Sequence, residues 1–370
     1  MDCKIVLFDC KGASASCAKP LMLQTILFCP VLTWVSQELL NCGVQRFFVI
    51  CDDSWREEIA AAMTGCEVAF FPDTAAALAA CEGDVLVIPS PVLPVTAFGQ
   101  SPVYSADSAV LRRMCDSGAA LTDRPAQGKE ALYWLPFHNV LELHRAMPLC
   151  RDAILSRHIE NGVTVMDPTA TYIDPRVSVA AGTTILPGTI LRGRTVIGAD
   201  CEIGPHSMIR DSVIGEGTSV NASQVNESTV GAHTTVGPFT YVRPHCRIGD
   251  HCRVGDFVEV KNSVIGNGTK ISHLTYVGDS DVGRHVNFGC GCVTVNFNGK
   301  EKFRTTVGDH AFIGCNTNLV APVKVGDYGY TAAGSTITKD VPSNALAIAR
   351  ARQENKEDWV LKKKPYRGME

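Results

Sequence analysis

The sequence predicts two domains of different class: an α/β domain at the N-terminus, then an all-β parallel helix built from hexapeptide repeats. Three observations predict this. An aliphatic residue recurs at every sixth position from Ile173 onward, short apolar runs alternate with helical stretches before residue 145, and 370 residues exceed one ordinary core.

The repeats are the strongest signal. Ile173, Val179, Ile185, Leu191, Ile197, Ile203 and Ile209 are six residues apart. The beat resumes at Val230, Val236, Val242, Ile248, Val254 and Val260, resets at Ile265, Ile271 and Val277, and returns at Val307, Ile313, Leu319, Val325 and Ile337, with Thr331 filling one slot. A hexapeptide supplies one short strand and a corner, so three of them close a triangular coil. Coils stack at about 4.8 Å, the spacing of neighbouring strands. The aliphatic residue points into the prism, and stacked coils bury a core that no single repeat could. Residues 171–340 make about nine such coils. The beat fails between Asn296 and Phe303, where an insertion must leave the solenoid and project from one face, a common place for a site. Past Pro342, residues 344–362 read as a helix, followed by the basic run Lys362–Lys364.

Residues 1–145 have another pattern. Ile5–Phe8, Arg46–Ile50 and Asp84–Ile88 read as buried parallel strands, with helices expected over 32–41 and 54–63 between them. Residues 146–170 read as a helical connector, 171–343 as the β-helix, and 344–370 as a C-terminal helix and tail.

Bulk properties narrow the function. A net charge of −4 gives no field favouring nucleic acid or an anionic membrane. No apolar run approaches the roughly 18 residues of a membrane span, and the N-terminus lacks the signal-peptide pattern, so a cytoplasmic protein is expected. The sixteen cysteines show no C-x-x-C pairing and read as reduced apolar fillers, with no metal site predicted.

Several strings in the C-terminal half carry more than the repeat: Arg243-Pro244, Phe257-Val-Glu-Val-Lys261-Asn262, His273-Leu-Thr-Tyr276-Val-Gly-Asp279, Asn287-Phe-Gly-Cys-Gly291, Leu319-Val-Ala-Pro-Val323 and Ala333-Gly-Ser-Thr-Ile-Thr338. Over about 237–359 they resemble the acetyltransferase half of the bifunctional N-acetylglucosamine-1-phosphate uridyltransferase/glucosamine-1-phosphate acetyltransferase family. The resemblance implies a left-handed helix, a homotrimer with active sites between subunits, and acetyl-CoA as co-substrate. It further implies transfer of acetyl to the amine of glucosamine-1-phosphate, a step toward UDP-N-acetylglucosamine and cell-wall precursors.

Residue by residue, the resemblance makes His273 the base that deprotonates the amine, a role suited to an imidazole, with Glu259 supporting it. Arg243 and Lys261 hold the sugar phosphate, joined by Lys302 from the insertion. Their spacing of eighteen residues independently puts Arg243 and Lys261 one coil apart on one face, and a guanidinium fork beside an ammonium suits phosphate. Tyr276 and Asn287 are assigned to the sugar or its phosphate. His273, Arg243 and Lys261 are expected to converge on one spot. The CoA groove is expected to run past Cys290, Asn296, Phe297, Cys315, Ala333 and Arg350. The family more often has Ala, Tyr and Ser where Cys290, Phe297 and Cys315 stand. A backbone N–H at Cys290 would still serve a tetrahedral oxyanion.

The N-terminal region resembles the family's nucleotidyltransferase half in reduced form. Lys19-Pro20 is present, but residues 10–18 lack the glycine- and arginine-bearing nucleotide loop, and Ser90 stands where a magnesium-binding carboxylate is expected. A hydroxyl does not replace a carboxylate on that hard cation, so loss of uridylyl transfer is expected. Two other readings stay open: a hexapeptide acyltransferase for a different amine, and a non-catalytic trimeric binding or scaffold protein.

Overall fold

The structure, a computed structural model, describes residues 4–11, 19–96, 101–132 and 134–365. By its contacts the chain divides into two units, Met1–Glu227 and Ser228–Glu370.

The first unit opens with a six-stranded sheet in the order Glu67–Phe71, Arg46–Ile50, Ile5–Asp9, Asp84–Ile88, Val103–Asp107, Lys129–Leu132. The first four strands run parallel, the fifth runs antiparallel to them, and the sixth is antiparallel to the fifth. The three expected strands lie side by side at its centre. Being covered on both faces, they read as continuous apolar runs rather than alternating ones. Leu7, Phe48, Val85, Val87 and Tyr104 pack there with Leu111. The helices between strands are Val31–Asn41, Arg56–Ala62 and Thr74–Ala79. Residues 12–18, in the expected nucleotide loop, lie outside the described residues.

A 21-residue helix, Val140–Glu160, follows; Asn139 caps it by accepting from the Glu142 N–H at 2.9 Å. The first coils come next. Thr164–Val165 pairs with Thr184–Ile185, which pairs with Glu202–Ile203, so coiling begins a strand earlier than the six-residue beat shows.

The second unit is a left-handed parallel β-helix with three walls. The first wall contains Thr235–Val236, Arg253–Asp256, Lys270–His273, Asn287–Phe288, Phe312–Ile313, Tyr330–Thr331 and Leu346–Ala347. The second contains Tyr241–Val242, Glu259–Lys261, Tyr276–Gly278, Val293–Val295, Asn318–Val320 and Thr336–Ile337. The third runs from Thr229–Val230 to Val323–Val325. Val236, Val254, Ile271, Phe288 and Ile313 stack in register inside the first wall, all buried. Each such side chain contributes roughly 1.5–3 kcal/mol when fully buried. Thr331 does fill its slot; its hydroxyl accepts from the Gly314 N–H at 3.0 Å, which satisfies a polar group inside the prism.

The corners hold backbone in the left-handed region, including His233, Phe239, His251 and Phe257 at φ 53–58°. Stacking of one corner ring on the next offsets that cost: Phe239 lies 5.4 Å from Phe257, and His310 stacks between His285 and Tyr328. Gly255 stands where two coils approach most closely, since a Cβ there would lie 2.1 Å from the Ser272 carbonyl oxygen.

The C-terminal helix is shorter than the sequence suggests, spanning Trp359–Lys363. Leu346–Ala347 instead extends the first wall: Tyr330 N–H donates to Ala345 at 2.8 Å and Ala332 N–H to Ala347 at 2.9 Å. A ready ladder captures this backbone before a costly helical nucleus can form there.

Candidate active site

The site is built on the corner that follows the first wall. Asp256 and His273 occupy the same position on adjacent coils, and Asp256 Oδ1 lies 2.8 Å from His273 Nδ1. Half of the His273 side chain is exposed, at 51%. The hydrogen bond to His273 is the main cause holding the Asp256 carboxyl below the usual carboxylate range, with its own backbone N–H helping. The carboxylate therefore stays charged, and the pair intact, until the pH falls through that depressed value.

Glu259, the expected support for His273, is engaged elsewhere. Its Oε1 accepts from Arg243 Nη1 at 2.8 Å, and its register partner is Tyr276. The physical reason is position: Glu259 lies three residues past Asp256, on the second wall, whereas the seventeen-residue spacing puts Asp256 itself beside His273.

Continuing the register, Cys290, Cys315 and Ala333 follow His273 on successive coils at the same corner position. Their backbone N–H groups donate to no backbone carbonyl among the described residues. Cys315 approaches closely because Gly289 lacks a side chain; a Cβ there would sit 2.5 Å from the Cys315 nitrogen and 2.8 Å from its sulfur. Arg350 follows at the far end, its Cδ 3.7 Å from where a Gly334 Cβ would stand. Four of the expected CoA residues thus line one column. The neighbouring Cys292 is different: it is buried, and burial pushes its thiol up to about 11, which leaves it inert.

The cations belong to the second wall. Arg243 and Lys261 stand in register at its far end, as their spacing predicts, with Gly278 on the next coil. Lys302 reaches the same place from the insertion, where its ammonium contacts that of Lys261. That contact is the main reason the Lys261 pKa is lowered, with desolvation second; Asp279 opposes the shift and Arg243 adds to it. His273 therefore does not share a wall with Arg243 and Lys261. The second wall is only three residues wide, so roughly 10 Å of backbone separates the corner from Lys261. Glu259 and Tyr276 fill that gap.

The remaining expected residues divide. Tyr276 lies flat along the second wall, where Gly278 makes room: a Cβ on Gly278 would meet the Tyr276 hydroxyl at 2.2 Å. Asn296 is buried, its amide donating to Tyr276 OH at 3.3 Å and to the buried Asp279 carboxylate. It braces Tyr276 and Asp279 on the second wall rather than lining the corner column. Asp279 also accepts from Asn262 Nδ2 at 2.5 Å. Asp256 and Asp279 were not anticipated, although the seventeen-residue beat from Val254 to Ile271 could have revealed Asp256. Phe297 is 55% exposed and bridges to Lys302 across the hairpin of the insertion. Arg304 anchors that hairpin through Asp281, with Nη2 2.6 Å from Oδ1. Asn287 lies on the first wall, three residues before the corner, between Lys270 and Phe312.

The repeat signature is matched independently: residues 227–262 fit the model described as bacterial transferase hexapeptide (six repeats). The bifunctional protein GlmU of Caldanaerobacter subterraneus subsp. tengcongensis is 56% identical over 220 residues, 60% of this chain and 48% of that protein. Over this stretch the chain is similar to the bifunctional GlmU proteins. The GlmU of Thermoanaerobacter pseudethanolicus is 49% identical over 243 residues, 64% of this chain and 53% of its own length. The chain thus spans about half the length of the curated GlmU proteins it matches. Among solved structures, an Arabidopsis UDP-N-acetylglucosamine acyltransferase aligns over 51% of this chain and 66% of its own at 16% identity, with a TM-score of 0.31.

Proposed function

We propose that this chain is a hexapeptide acyltransferase that moves acetyl from acetyl-CoA to the amine of glucosamine-1-phosphate. The observation that carries the reading is the clustering of Arg243, Lys261 and Lys302 at the far end of the second wall, roughly 10 Å along the backbone from the corner holding His273. Like charges in contact are unfavourable alone and favourable around a phosphate dianion. The His273 imidazole donates Nδ1–H to Asp256, leaving Nε2 to take the proton from the attacking amine. The amine nitrogen bonds to the thioester carbonyl carbon, the Cys290 N–H faces the oxyanion, and the CoA thiolate leaves. The outward N–H groups of Cys315 and Ala333 give a pantetheine arm polar partners along the column, with Arg350 available to a CoA phosphate.

A homotrimer is part of this reading. Phe239, Phe257 and Leu274 form an exposed apolar strip immediately after the catalytic corner, at 58–60% exposure, which a second copy would cover. Loss of uridylyl transfer is also inferred, supported by Ser90 in place of a metal-binding carboxylate.

The reading is tested by release of free CoA thiol with glucosamine-1-phosphate, glucosamine-6-phosphate or no acceptor. Release that depends on the 1-phosphate is expected; equal release with all three would end the assignment.

Asp256 gives a second prediction. Asp256→Asn loses the charge and brings an amide N–H that can hold the opposite ring tautomer, whereas Asp256→Leu removes the acceptor and frees the ring to rotate. Both variants are expected to lower kcat about tenfold or more, with the acceptor KM little changed. Steady-state kinetics on the three proteins decides it, and wild-type kcat in the leucine variant would remove Asp256 from the mechanism.

A further inference from the structure

The first unit contains a cleft of about 1150 Å³ that the acetyl-transfer chemistry does not use. Its walls are helix Val31–Asn41, residues 58–65, the end of helix Val140–Glu160 and the corners of the first coils. That volume lies just above the range usual for small-molecule sites. Four cations line it: Lys19 pairs with the lining Glu58 at 2.9 Å, Arg157 and Arg176 pair with Glu38 and Asp174, and Arg194 completes the set.

The arginines are held so that donors remain free. Arg176 is clamped through Nε and Nη2 by Asp174, at 2.9 and 2.6 Å, and Asp174 is fully buried. Arg157 gives one N–H to Glu38 at 2.6 Å and one to the Pro175 carbonyl at 3.1 Å. A guanidinium carries five N–H donors, so each keeps three. Arg194 lies one coil above Arg176 in the same position, and no carboxylate pairs with its guanidinium among the described residues. His158, which also lines the cleft, is 5% exposed, and its Nε2 has no hydrogen-bond partner among the described residues. Burial, with Arg157 adding to it, lowers the imidazole to about 4, so it stays neutral. A buried ring nitrogen left without a partner is costly, so this position beside the cleft is not built for stability alone.

We propose that this cleft is a second anion site, distinct from the acetyl-transfer corner, for a small molecule carrying a phosphate or diphosphate. Arg176 and Arg194 on adjacent rungs present two forks about 4.8 Å apart, which suits a group with several anionic oxygens better than one carboxylate. Pro30, Leu40, Val177 and Val196 offer apolar wall to the rest of such a ligand.

The test is calorimetric titration of inorganic pyrophosphate into the full-length protein, with succinate as the carboxylate control. Lys261→Ala serves as background because it weakens the competing anion spot that Lys261 forms with Arg243 and Lys302 on the second wall of the β-helix. Saturable pyrophosphate binding is expected to persist in that background and to weaken at least tenfold when Arg194→Glu is added. Arg194 is exposed and no carboxylate pairs with its guanidinium among the described residues, so that change leaves the fold intact; Arg194→Ala provides a second, uncharged perturbation, also expected to weaken binding. No saturable binding in the Lys261→Ala protein, binding that Arg194→Glu leaves unchanged, or equal affinity for succinate would each overturn the proposal.

Discussion

Replacing His273 with alanine is expected to lower kcat for acetyl transfer by about 10²- to 10⁴-fold, the usual contribution of a positioned general base. The acceptor amine arrives largely as ammonium and is not nucleophilic until it loses a proton. Asp256 fixes the ring so that Nε2 is the free acceptor. The side chain is half exposed and makes this one hydrogen bond, so its removal should move stability by no more than about 0.5 kcal/mol. The combination is diagnostic: a collapsed kcat with an unchanged melting temperature and an unchanged KM for acetyl-CoA. If kcat stays within threefold of wild type, the proton goes elsewhere and the corner is not the reacting centre.

Lys261→Ala should act on the other reactant. A hydrogen bond to a charged group contributes about 1.5–3 kcal/mol, so kcat/KM for the sugar phosphate should fall roughly 10- to 100-fold, mostly through the acceptor KM. The pH dependence sharpens this. Lys302 holds the Lys261 pKa below its ordinary value, so Lys261 sheds its proton at lower pH than a free lysine does. The acceptor KM should accordingly begin to rise earlier on the alkaline side than an ordinary lysine would allow. Lys302→Ala removes the opposing ammonium and should shift that onset to higher pH, at the cost of one phosphate contact. An onset indifferent to residue 302 would mean that the two ammonium groups do not share a ligand.

Much of the fold was legible because its physics is periodic. A residue that must enter the prism once per hexad leaves a trace at Ile185 or Val236 whatever its surroundings, and even Thr331 kept its slot. The three central strands of the first unit were legible for a related reason: burial on both faces demands unbroken apolar runs such as Val85–Ile88. The short C-terminal helix was not, since residues 344–362 have helical composition while the Tyr330–Thr331 edge offers a stronger local partner. Within the site, the Arg243–Lys261 stacking followed from counting eighteen. Asp256 required counting seventeen, a contraction that one irregular coil imposes. Asn296 was assigned to the groove by analogy, but its direction depends on Asp279, a buried charge that spacing alone does not reveal.

His273, Cys290, Cys315 and Ala333 take one place per coil, so this corner works as a graduated rule. The span between His273, the proposed proton acceptor, and Ala333, in the proposed donor groove, is a whole number of steps of about 4.8 Å, fixed by backbone ladders rather than by loops. Duplicating one coil between them would lengthen the track by a single step and leave every side chain facing as before. Donor length in such a protein is thus open to change by copying, with no need to redraw the chemistry at either end.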